Sequence, residues 1–95
     1  MWLPSFNSSR QRAEHRDRLA AAVKVAARLD VLSSSELVPA FLAATLGDVR
    51  ISGGRYEARA YGFRATSVRN RTQAVRNWIL AVTAEAAQAP IGEVA

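Results

Sequence analysis

Leu19, Ala22, Val23, Ala26 and Leu29 recur at the three- and four-residue spacing of one helical face, while Lys24 and Arg28 point away from it. The run from Arg10 to Leu32 holds no glycine or proline. A first helix is therefore predicted from Ser8 or Ser9, where Ser8 and Gln11 match a capping box. Residues 1–8 read as an irregular lead-in whose Trp2, Leu3 and Phe6 pack back on the body or on a partner.

A second helix is predicted from near Ser35, with Ser33 as a cap, Glu36 three residues on, Pro39 close to the first turn and Gly47 as a left-handed stop. Leu37, Phe41, Leu42 and Leu46 would then face the first helix in an antiparallel hairpin. A third helix is predicted from Thr66 or Ser67 to about Ala89. On a wheel of roughly 100° per residue, Thr72, Val75, Ile79, Val82 and Ala86 lie within about 40° of Val68, with Trp78 on the flank. From Pro90, residues 90–95 are expected to fray.

Residues 48–65 admit two readings. In the first, Ala58 and Gly62 are the small residue and the turn glycine of a helix-turn-helix, with Tyr61, Phe63 and Val68 as its apolar anchors. Glu57 and Arg71 stand where such a motif keeps apolar residues, and Gly53 and Gly54 start a helix badly. In the second, VRIS and RYEARAYGF are two strands joined by Gly53 and Gly54, although residues 56–63 lack a clean apolar and polar alternation. The main expectation is a mainly α fold, a small bundle of three to four helices with a helix-turn-helix at 54–77. The alternative is α+β, a helical hairpin plus a β-hairpin at 49–63 and a long C-terminal helix.

Ninety-five residues at 49% hydrophobic predict a single domain, 1–95, with one modest core. No stretch is as apolar as a membrane span, and the opening residues do not read as a secretion signal, so a soluble, cytoplasmic chain is expected. There is no cysteine, hence no disulfide and no thiolate nucleophile or ligand.

Charge changes this picture more than size does. The chain carries a net +5 and a pI near 11.1. Arg50, Arg55, Arg59, Arg64, Arg69, Arg71 and Arg76 stand against Glu57 alone between residues 50 and 76, whereas residues 1–49 are nearly balanced. A local excess of this kind suits an anionic partner. In the helix-turn-helix reading, Arg69, Asn70, Gln73, Arg76 and Asn77 are candidates to read base edges, because Arg pairs with guanine and Asn or Gln with adenine through two hydrogen bonds. Arg50, Arg55, Arg59 and Arg64 are the phosphate-contact candidates.

Arg71 lies one heptad from Trp78 and is expected to lean over its indole, and Tyr61 and Phe63 are expected in the core. The apolar run Trp78, Ile79, Leu80 and Val82 suggests a homodimer interface. Catalytic chemistry finds little support. His15 is the only histidine and sits among charged residues, the carboxylates are scattered, and no nucleophile elbow or phosphate-binding loop is present. No enzyme activity, metal or cofactor is expected. The functional expectation is a small basic nucleic-acid-binding protein, a DNA-binding transcriptional regulator or architectural factor bound to duplex DNA. Its alternative is a non-catalytic adaptor that grips an acidic protein through the arginine-rich patch.

Overall fold

The computed structural model describes residues 4–88, with side chains described from residue 12 onward. The expected frayed tail at 90–95 and the packing of Trp2, Leu3 and Phe6 lie outside the described residues and side chains. The elements in order are α1 (Pro4–Leu29), α2 (Ser34–Ala44), β1 (Asp48–Ser52), β2 (Arg55–Ala60), β3 (Phe63–Ser67) and α3 (Arg71–Gln88). The three strands form one antiparallel sheet in the order β1-β2-β3. The mainly α expectation and its helix-turn-helix at 54–77 are therefore wrong. The α+β alternative is the better description, extended by a strand it did not contain.

Two turns explain the difference. Gly53 and Gly54 have φ of 58° and 78°, and Tyr61 and Gly62 have φ of 56° and 80°. A two-residue hairpin loop with both residues left-handed matches the twist of the strands it joins, and glycine enters that region without steric cost. Gly62 is thus the second residue of a hairpin turn, not the corner between two helices. Its neighbour Tyr61 accepts an unfavourable φ while packing its half-buried ring against the core.

Pairing then fixes which residues share a face. Ala58 lies opposite Val49 and Ala65, and Tyr56 opposite Ile51 and Ser67. With Ala60 and Phe63 these form the inner face. Their neighbours along each strand stand on the outer face: Asp48, Arg50, Ser52, Arg55, Glu57, Arg59, Arg64 and Thr66.

α3 covers the inner face and is the element against which all the others pack. Its buried stripe is Ala74, Val75, Trp78, Ile79 and Val82. Trp78 is fully buried, meets Phe41 edge-on at 5.1 Å between ring centroids, and donates from Nε1 toward the carbonyls of Ala60 (3.3 Å) and Phe63 (3.2 Å). One side chain so ties α2, α3 and the second turn together. Leu19, Ala22, Val25, Ala26 and Leu29 from α1 and Leu37 from α2 complete the core.

Several helix ends differ from expectation. α1 starts at Pro4, whose missing N–H costs nothing in a first turn, so it begins before Ser8. α3 starts at Arg71 and not at Thr66 or Ser67, with Asn70 as its cap: Asn70 Oδ1 accepts the Gln73 N–H at 2.7 Å. Ser67 instead closes β3 and accepts the Arg69 N–H. Val68, placed on the core stripe by the wheel, is exposed between the two elements. α2 ends at Ala44, and Thr45 rather than Gly47 caps it: Thr45 Oγ1 donates to the Phe41 carbonyl at 2.8 Å and accepts the Gly47 N–H at 3.0 Å. Gly47 is required by space, since a Cβ there would run into the Arg59 carbonyl and Ala60. Leu37 and Phe41 are buried as expected, but Leu42 and Leu46 are exposed.

Candidate functional site

All four phosphate-contact candidates come from the outer face of the sheet. Arg50 stands on β1, Arg55 and Arg59 on β2, and Arg64 on β3, directly opposite Arg59. Each is exposed, and the period-two geometry of the strands is what gathers them. The helix-turn-helix reading would have scattered the same residues around helices.

Glu57 holds the centre of this face. Its side chain is only 5% exposed, because Arg50 and Arg64 close over it from the two flanking strands. Arg50 Nε lies 3.3 Å from Oε1, and Arg64 Nη1 lies 3.2 Å from Oε2. Arg50 also lies 3.8 Å from Asp48. Among the described residues, Arg55 and Arg59 make no ion pair. Counting Arg50, Arg55, Arg59 and Arg64 against Asp48 and Glu57, the face carries a net +2 in a pattern of mixed sign. An open depression of about 460 Å³ borders its far end, lined by Leu46, Gly47, Asp48, Arg59, Phe63 and Arg64 among others.

The base-reading candidates occupy a different place. They belong to α3 and the connection before it, and most are engaged within the fold. Asn70 caps α3. Gln73 Nε2 donates to Asn77 Oδ1 at 2.9 Å, and Asn77 Nδ2 donates to the Thr66 carbonyl at 2.8 Å. Arg76 reaches Ser34 Oγ at 3.2 Å. Arg69 is exposed in the connection between β3 and α3. A strand and not a helix precedes α3, so these residues are not set in a helix-turn-helix, and they belong to other elements than the outer-face arginines. Arg71 lies over the ring of Tyr56 at 5.7 Å from its centroid, and not over Trp78.

The proposed oligomer patch is largely interior: Trp78, Ile79 and Val82 are buried in the chain's own core, and Leu80 alone of the four is exposed. His15 lies 3.7 Å from Glu85, with its ring 5.7 Å from that of Phe63. Among the described residues, no three His, Cys, Asp or Glu side chains come together as metal ligands would. No helix of these residues is long and apolar enough to cross a membrane.

Sequence reasoning missed Glu57 and Asp48 as parts of the charged surface. The available signal was the alternation Arg55, Glu57, Arg59 against Tyr56, Ala58, Ala60. No protein-family model matches the chain, and no curated protein or solved structure shows significant similarity to it.

Proposed function

We propose that this protein is a non-catalytic adaptor whose open sheet face grips an acidic protein partner. The observation that carries this reading is the buried Glu57 in the middle of the arginines. A surface made for a polyphosphate backbone gains from unbroken positive charge. Here Asp48 and Glu57 punctuate the positive field and hold Arg50 and Arg64 in fixed positions, leaving Arg55 and Arg59 to meet carboxylates from outside. Fixed charges of both signs favour a partner of matching pattern and penalise like charges placed opposite them. Planar guanidinium groups also suit bidentate contact with carboxylates.

The test is fluorescence anisotropy with a labelled glutamate-rich peptide and, separately, a labelled duplex, each at low and high salt. The peptide should bind the parent chain, and Arg55→Glu with Arg59→Glu should weaken it at least about tenfold, roughly 1.4 kcal/mol, without altering the circular dichroism spectrum. Duplex binding with a steep salt slope and no peptide binding would move the assignment to nucleic acid. Binding of neither would remove the sheet face as a docking site.

A further inference from the structure

The face just described ends at β1, an edge strand with whose outer side no other strand pairs among the described residues. We infer that β1 pairs antiparallel with β1 of a second copy, joining two sheets into one of six strands about a two-fold axis at Val49. This inference does not depend on what the sheet face binds.

The backbone supplies the first part of the argument. β1 and β2 are joined by the two-residue turn Gly53 and Gly54, so Ser52 and Arg55 close the hairpin as a hydrogen-bonded pair. Bonded pairs alternate along the ladder. Arg50 and Asp48 therefore spend their N–H and C=O groups on β2, while Val49 and Ile51 direct theirs outward. An open row of this kind is a template for another strand, and proteins ordinarily blunt it with proline, a bulge or a covering element. β1 has neither proline nor bulge, no described strand pairs with its outer side, and its Ile51 is 59% exposed.

The side chains select the register. An added antiparallel strand must place the outward groups of Val49 and Ile51 against equivalent groups, which leaves few alignments of one copy on the other. Setting Val49 opposite Ile51 places Arg50 against Arg50, a like-charge contact. Sliding the strands the other way places Asp48 against Asp48. With Val49 opposite Val49, Asp48 of each copy faces Arg50 of the other in a non-bonded pair, where side chains approach most closely. A strand that is acid at one position and basic two residues later complements its own reverse, which is the condition for a two-fold interface. The Gly47 N–H is already bound to Thr45, so the outermost rungs are incomplete and the dimer is a reversible one. The two-fold axis runs perpendicular to the sheet, so both outer faces come to the same side and eight arginines share one surface.

The absence of native cysteine makes the register directly measurable. Val49→Cys should form a covalent dimer under mild oxidation, because a directly opposed bonded pair has Cα atoms about 5.5 Å apart, within disulfide reach. Ile51→Cys should not, since residues 51 of the two copies would be offset by four positions, roughly 13 Å along the strand. In sedimentation velocity the parent chain should show a concentration-dependent dimer. Ile51→Pro, which removes an outward N–H that the isolated chain does not use, should sediment as a monomer with an unchanged circular dichroism spectrum. A parent chain that stays monomeric at every soluble concentration overturns the inference. So does a dimer that survives Ile51→Pro, or one in which Ile51→Cys bridges and Val49→Cys does not.

Discussion

Trp78 concentrates more of the fold than any other side chain described. Its ring fills the space between α3 and Phe41, and its N–H meets two carbonyls that flank the turn at Tyr61 and Gly62. Trp78→Phe keeps an aromatic ring but loses volume and the buried donor. The expected cost is about 2–4 kcal/mol, read as a lower urea midpoint with an unchanged slope. An unchanged midpoint would mean that the carbonyls are satisfied without the indole. Gly47 makes the opposite point at the same scale. Its role comes from the nearness of the Arg59 carbonyl, which no pattern in the sequence could announce.

Among the elements, the helices were legible and the sheet was not, for reasons that lie in particular residues. α1 and α3 bury large apolar side chains at helical spacing, and Leu19, Ala22, Ala26, Leu29, Val75, Ile79 and Val82 were all readable from that period. β2 turns Ala58 and Ala60 inward, side chains too small to register as a core stripe, and places a buried acid, Glu57, immediately before them. The alternation was present but faint. The pair Tyr61 and Gly62 then resembled a helix corner, because a glycine alone does not say which element it ends. The candidate site was readable in composition, since the arginine cluster was plain in the sequence, but its arrangement needed the strand register. The start of α3 carries its own prediction. Asn70→Ala should destabilise the protein by about 1 kcal/mol and Asn70→Asp hardly at all, as measured by thermal melting, because the cap needs only an acceptor at that position.

At the scale of the whole molecule, α3 is the element that the sheet, α1 and α2 all pack against, so opening anywhere near it exposes the shared core. The first part of α1 is placed differently. From Arg12 to Arg18 its side chains are exposed or half-buried, and Leu19 is the first buried one among the described side chains. Local opening requires little energy where few apolar contacts are broken. Native-state hydrogen exchange should therefore find the amides of residues 12–18 exchanging on the order of a hundredfold faster than those of Val75 to Val82. Equal protection would indicate that another surface covers this stretch.

The tip of the first hairpin has a practical corollary. Among the described residues, nothing comes within 4 Å of where a Cβ at Gly53 or Gly54 would stand, although the positive φ of both strains any side chain placed there. The tip is the place where a short foreign loop carrying a fluorophore can replace the glycine pair beside Arg55 and still leave the interior untouched. The molecule thereby offers a built-in mounting point for a sensor of whatever comes to rest on its arginines.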